Sequence, residues 1–279
     1  MINDFKNAFK EVFGLKFFWI YMVIYAVIQT VSTIFNLAES IPYNKAISNV
    51  FSVIGYISIA YLLVMVHNLL NDKNLSDETQ NFWQNFKNSI KVWFKGVIGL
   101  TACMVIIFSG TFVSSVLLVV SMMISKPVLF DEIVQTPLFI IIFGLIMLLT
   151  ILGLIFVLEL VSICFAKNYA IRDVFRWGRV VKTFFKKGFA KRTCSILGIE
   201  ILASLILLIV LLGVYLVFDL GLTYSAKNLL ANNYMLLLFL FGILNIIIPF
   251  VASALHFMLS SAVYNLLAKV YKESSEVTE

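Results

Sequence analysis

CSILGIEILASLILLIVLLGVYLVF, residues 194–218, holds one ionisable side chain, Glu200, in an otherwise almost wholly apolar run. As an α-helix rising 1.5 Å per residue it would be about 37 Å long, more than the ~30 Å hydrocarbon core of a bilayer. Leu, Ile and Val fall on every side of that helix, so it has no polar face to offer water. Its solvent is lipid. Just before it stand Lys186, Lys187, Lys191 and Arg192, and this pairing of a basic flank with an apolar run recurs along the chain.

Working outward from this run, five more stretches reach the length a crossing needs: 17–36, 46–70, 97–124, 138–165 and 234–267. With six spans the connections alternate between two sides. Lys45, Lys126 and Lys227 fall on one side, and the other eighteen of the 21 basic residues fall on the other. Basic residues collect in short cytoplasmic connections because translocating them is unfavourable. The split therefore predicts both termini in the cytoplasm. A missed or surplus span would scramble the alternation. Trp19, Trp83, Trp93, Trp177, Tyr43 and Tyr271 fall near the expected interfaces.

Composition agrees. The chain is 61% hydrophobic and 13% charged over 279 residues, with mean hydropathy +1.00, against about 25% charged in an ordinary soluble domain. The net charge of +6 lies at predicted membrane edges, which points to anionic lipid rather than nucleic acid. The amphipathic stretch before the first apolar run, with no cleavage site after it, predicts a retained first span. Cys103, Cys164 and Cys194 include no C-x-x-C pair, so neither a disulfide framework nor a metal site is indicated. Buried packing is expected for each.

Short basic, amphipathic segments precede the first, third and fifth spans. The first reads Phe5-Lys6-Asn7-Ala8-Phe9-Lys10 and the second Phe86-Lys87-Asn88-Ser89-Ile90-Lys91. In the third, Trp177, Val181, Phe184 and Phe185 recur at i, i+4, i+7 and i+8, with Arg179, Lys182, Lys186 and Lys187 among them. Such a helix can lie in the interface, aromatic face toward the acyl chains and basic face among headgroups. The expected fold is all-α: one six-helix transmembrane domain, 1–279. It divides into three repeats of interfacial helix plus helical hairpin, 1–71, 82–166 and 172–272. Convergence of basic-aromatic flanks is the competing explanation of the repeat.

Ionisable groups inside a span cost about 2.5–3.5 kcal/mol each on insertion scales. Glu159 and Glu200 lie at similar depths beside the most basic connection. One reading makes them part of a cytoplasm-facing polar cavity for a cation, a proton or a lipid headgroup. The other has them pair with Arg172, Arg176 or neighbouring cations and lock the third amphipathic segment to the bundle. His256 follows Pro249 by seven residues and could bond a carbonyl freed there or Asn245, and His67 sits where the second span exits. These four are the candidate cavity residues. Arg172, Arg176, Arg179, Lys182, Lys186 and Lys187 are the candidate anionic-lipid contacts. Gly110, Ser114, Gly144, Gly153, Ser253 and Ala254 are small enough for close helix approach.

Catalytic signatures are missing from the sequence: it has no H-E-x-x-H, G-x-S-x-G, C-x-x-C or phosphate-binding glycine loop. His67 and Asp72 have the H-x4-D spacing of glycerolipid acyltransferases, in which an aspartate orients a histidine base. No companion Gly-rich or Pro-rich substrate block accompanies them. Neither an enzyme, a cofactor nor a metal is expected.

From Glu159 the chain reads ELVSICFAKNYAIRDVFRWGRVVKTFFKKG and then enters the fifth span. This order of acidic span end, short turn, basic-aromatic helix and new span resembles the membrane domain associated with glycerophosphodiester phosphodiesterases, and related bacterial six-pass families. The resemblance is one of layout and covers about a fifth of the chain, 159–212. It implies a multi-pass protein of the bacterial cytoplasmic membrane, and no activity, because catalysis in that family belongs to a separate soluble domain. The expected role is a non-enzymatic accessory protein binding anionic lipid or a partner subunit. The alternative is a small transporter or lipid translocator.

Overall fold

The fold is described from a computed structural model, which describes residues 2–38, 42–71, 81–125, 153, 157–176, 182, 188–228 and 231–276. Among these residues the regular structure is entirely helical. The helices are α1 (Ile2–Phe13), α2 (Phe18–Leu37), α3 (Asn44–Leu70), α4 (Phe82–Ser125), α5 (Phe189–Asn228) and α6 (Ala231–Glu276). A helical segment covers 157–168, and a single turn covers Ile171–Val174. Five stretches are long and apolar enough to cross a membrane: Phe18–Leu37, Asn44–Leu70, Phe82–Ile106, Phe189–Val217 and Gly242–Ser274. They correspond to the first, second, third, fifth and sixth predicted spans. Most of the predicted fourth span, 138–165, lies outside the described residues.

The chain divides into two compact units, one of Met1–Trp93 with Thr183–Glu279, the other of Phe94–Lys182. In the first, α2 packs along α3 and α6, and α6 packs on α5, α3 and α1. Phe18, Tyr21, Tyr61, Leu62, Val66, Phe257, Val263 and Leu267 form its core, toward the basic ends of α2, α3 and α6. The other ends open out. Val50, Val53, Ile54, Ile246 and Ile247 are exposed, as is most of the apolar surface of α5 from Ile201 to Val217. Cys194, expected inside, is exposed on α5, whereas Cys103 and Cys164 are buried.

Of the three basic segments that looked alike in sequence, the first two fold differently. Residues 2–13 form a separate helix, ended by a turn in which the Gly14 amide donates to the Lys10 and Glu11 carbonyls and Phe18 restarts the helix by donating to Leu15. Residues 86–91 form no separate helix: they belong to the first turns of α4, which continues unbroken into the third span. No Gly or Pro interrupts the chain between Phe82 and Lys95, so nothing there stops the helix. In the third segment the turn Ile171–Val174 precedes residues 177–181 and 183–187, which lie outside the described residues. Gly188, at φ +81, takes the left-handed conformation that glycine tolerates, and α5 starts at the next residue.

The C-terminal end also departs from expectation. α6 runs about nine residues past the predicted end of its span, with Ala268, Val270 and Tyr271 buried. The reason is α1. Its apolar stripe, Phe5, Ala8 and Val12, is buried in the protein, and α1 packs on α6. An interfacial helix was expected to turn such a stripe to lipid.

In the second unit α4 approaches the turn Ile171–Val174 closely at Gly99, where an added Cβ would sit 3.0 Å from Val174 Cγ2 and 3.7 Å from Ile171 Cγ2. Among the described residues nothing lies within 4 Å of such an atom at Gly110 or Gly153, so the close approaches fall at Gly99 and, in the first unit, at Gly55. Gly144 lies outside the described residues.

Candidate functional site: a polar crevice at the basic end of α2 and α3

α2 enters the first unit through an aromatic elbow. Phe17, Phe18 and Tyr21 bring rings to Phe82, Phe257 and Tyr61, and the Tyr21 and Tyr61 rings stack with centroids 4.2 Å apart at 11°. Buried under this stack is a polar group that bridges two helices. The Tyr21 hydroxyl donates to Asn85 Oδ1 at 3.0 Å and lies 3.3 Å from Ser89 Oγ. Asn85 and Ser89 stand four residues apart, so one face of α4 carries both. Their backbone positions follow from α4 being continuous here, the feature that distinguishes this segment from residues 5–10.

Beside this group lies a cavity of about 20 Å³, lined by Leu15, Lys16, Phe17, Tyr61, Val64, Met65, Asn68 and Asn85. The volume admits about one water-sized group. Asn85 is only 8% exposed, and its carbonyl oxygen is already held by Tyr21. That bond orients the amide so that its NH2 is what Asn85 has left to offer. Lys16, Asn68, Asn85 and Tyr61 thus line the crevice beside the apolar Leu15, Phe17, Val64 and Met65. Its polar content is rich in donors.

Two ion pairs tie the helix ends around this region. Lys269 Nζ reaches both Glu11 carboxylate oxygens at 2.6 Å, and Asn265 Nδ2 donates to Glu11 Oε2 at 3.2 Å, clasping α1 to α6. Arg192 at the start of α5 pairs with Glu273 on α6.

A second polar seam runs between α2 and α3. Ser32 Oγ lies 2.9 Å from the Ser48 carbonyl, 3.0 Å from Ser48 Oγ and 2.7 Å from Ser52 Oγ. One turn further along, Gln29 crosses over Gly55, where an added Cβ would fall 2.5 Å from Gln29 Nε2. Thr30 and Thr33 return their hydroxyls to the Ala26 and Gln29 carbonyls at 2.7 and 2.9 Å. This seam holds the hairpin together, because lipid gives apolar faces no reason to associate and interhelical hydrogen bonds and small residues must do so.

The ionisable residues singled out in the sequence do not converge on the crevice. His67 is half-buried one turn from it, its Nδ1 3.2 Å from Asn71 Nδ2; Asp72 lies outside the described residues. His256 is exposed on α6, its ring 6.5 Å from that of Tyr25. Glu200, on α5, is half-buried in the first unit, and Glu159 is half-buried in segment 157–168 of the second.

Of the expected lipid contacts, Arg172 and Lys182 are exposed, while Arg179, Lys186 and Lys187 lie outside the described residues. Arg176 is engaged within the protein, its guanidinium 3.2 Å from the carboxylate of buried Asp173, which also accepts from Asn168 Nδ2 at 3.0 Å. The corner between Asn168 and Arg176 is therefore a folded structure of its own. Tyr169 turns it at φ 51, and burial pushes that hydroxyl's pKa up.

The crevice and the seam are made of Tyr, Asn, Gln and Ser, residue types that weigh less on an insertion scale than charges do. Their signal in the sequence is spacing: Asn85 and Ser89, and Ser48 and Ser52, are i, i+4 pairs on one helix face.

These features define an all-helical membrane protein with a polar crevice at the basic end of its first unit. No family, characterised protein or solved structure matches the chain, so its function is argued from its own residues.

Proposed function

We propose that this chain is a non-enzymatic accessory protein of a bacterial cytoplasmic membrane, with both termini in the cytoplasm, that binds anionic lipid and through it or beside it a partner subunit. The observation that carries the reading is the charge asymmetry. With the six spans read from the sequence, eighteen of 21 basic residues fall on one side, and each such residue near an anionic surface is worth about 1 kcal/mol. The exposed positions of Arg172 and Lys182 are consistent with it. The transporter alternative needs a polar cavity around Glu159, Glu200, His256 and His67, and the crevice described above is lined by none of them.

Extraction of the full chain into nanodiscs, followed by mass spectrometry of everything retained, tests the proposal. Anionic phospholipid should be enriched over its share of the source membrane. Changing Lys182, Lys186 and Lys187 together to Gln should lower that enrichment. Retained lipid matching the bulk composition in the unaltered chain would sink the lipid-binding reading. A stoichiometric second protein would identify the partner.

A further inference from the structure

The crevice at the α1–α2 elbow suits an acceptor. The Asn85 carbonyl is occupied by Tyr21, leaving its amide N–H groups; Lys16 supplies a cation, and Asn68 and Tyr61 add polar groups at the wall. Asn85 and Tyr61 are 8% and 5% exposed, and neither the Asn85 amide nitrogen nor the Tyr61 hydroxyl has a hydrogen-bond partner among the described residues. Among the described residues neither atom belongs to the fully buried side-chain atoms that lack a partner, so each keeps some access at the crevice and is open to an incoming acceptor.

Size narrows the choice. About 20 Å³ accepts one oxygen atom, not a headgroup, so the rest of the occupant stays at the mouth. Leu15, Phe17, Val64 and Met65 supply apolar wall, which suits an amphiphile rather than a free ion. The crevice also lies where α2 begins and α3 ends, the depth at which a bilayer carries its phosphates on the basic side.

We infer that the crevice is a specific phospholipid site, one that takes a non-bridging phosphate oxygen of a single lipid into the donors of Asn85, Asn68, Tyr61 and Lys16. The inference deepens the lipid-binding reading above and rests on it, but it assigns selectivity to Lys16 and the uncharged donors of α3 and α4 in place of the basic connection. Tyr21 is a positioning residue: it touches no lipid and fixes which end of Asn85 faces the crevice.

The test uses the full chain in nanodiscs of phosphatidylcholine doped with phosphatidylglycerol, with native mass spectrometry counting tightly held lipids. Asn85→Asp is the informative variant. A carboxylate still accepts from Tyr21, so the fold has its bond, but the donor becomes an anion that repels phosphate. One lipid per chain should be held by the unaltered protein, and its retention should fall at least about tenfold in N85D at unchanged helix content and elution volume; that drop corresponds to about 1.4 kcal/mol. The Lys182, Lys186 and Lys187 to Gln variant should keep this one lipid while losing the looser enrichment, so the two readings fail separately. Equal retention by N85D would overturn the site. So would equal retention of diacylglycerol, which lacks the phosphate, or displacement of the lipid by an equal concentration of soluble glycerol phosphate.

Discussion

Removing one hydroxyl from the core of the first unit measures how much a buried polar bridge contributes inside a membrane protein. Tyr21→Phe leaves the ring in place, so the stack on Tyr61 and the contact with Phe82 survive and no cavity opens. What goes is the bond to Asn85 Oδ1 at 3.0 Å and the contact with Ser89 Oγ at 3.3 Å. Interhelical hydrogen bonds in membranes average about 0.6 kcal/mol and reach about 1.7. Losing two puts the expected destabilisation at about 1–2 kcal/mol, toward the upper end because Asn85 and Ser89 stay buried with fewer partners. Reversible unfolding in mixed micelles, run as a double-mutant cycle with Asn85→Ala, should give a coupling of about 0.5–1.5 kcal/mol. By contrast, Tyr21→Ala also deletes the stacked ring and should cost about 3–5 kcal/mol. If Tyr21→Phe matches the unaltered protein and the coupling vanishes, the bridge contributes nothing, and Asn85 is not oriented by Tyr21.

Four further perturbations probe the other contacts. Val12→Asp places a charge at a fully buried position under α1; it should forfeit about 1.5–3 kcal/mol of burial and release α1, seen as faster amide exchange over 2–13 with α2 and α3 unchanged. Glu11→Gln should cost less than about 1 kcal/mol, because the Glu11–Lys269 pair is 41% and 35% exposed and screened by solvent; a loss as large as that of Val12→Asp would mean the ion pair, not the apolar stripe, holds the clasp. Gly99→Leu should overpack the contact with Val174 and cost about 1–3 kcal/mol in the same unfolding assay. Ser32→Ala should weaken the α2–α3 hairpin by about 0.6–1.7 kcal/mol, read as increased cross-linking mobility between cysteines placed at the hairpin's open end.

Where lipid alone decides the outcome, the sequence was readable. A stretch such as 194–218 has no polar face, so its helix and its environment follow from composition, and α2, α3, α5 and α6 each begin within about three residues of the predicted span or of its basic flank. The far end of α6 was not readable, because it is set by a partner. Lys269 and Lys272 look like the start of a polar tail, and nothing near them announces that Glu11, 258 residues away, will pair with Lys269. The three basic segments show the same limit. Residues 5–10 and 86–91 share their composition and spacing, yet one is a free-standing helix and the other continues a span. A Gly-Leu-Lys elbow follows the first, and no breaker follows the second until Gly96, by which point the helix is established.

The site was hidden for a related reason. A charge in a span draws attention because its cost is large, and Glu159, Glu200, His67 and His256 were found that way. Inside lipid, however, apolar faces do not drive helices together, so α2, α3 and α4 must be specified by the modest groups that can pair: Tyr21 with Asn85 and Ser89, Ser32 with Ser48 and Ser52. Outside lipid the balance reverses. α1 is held to α6 by Phe5, Ala8 and Val12, buried as in a soluble protein, with Glu11–Lys269 adding direction more than strength. The crevice forms at the junction of these two regimes, where the elbow of α1 and α2 leaves lipid packing and enters water-driven packing. Neither regime fills it completely, and the atoms it leaves exposed to an incoming group are donors. A mixed apolar and donor-rich opening at that depth matches the one molecule that spans the same boundary, a phospholipid, whose acyl chains and phosphate are divided at the same level.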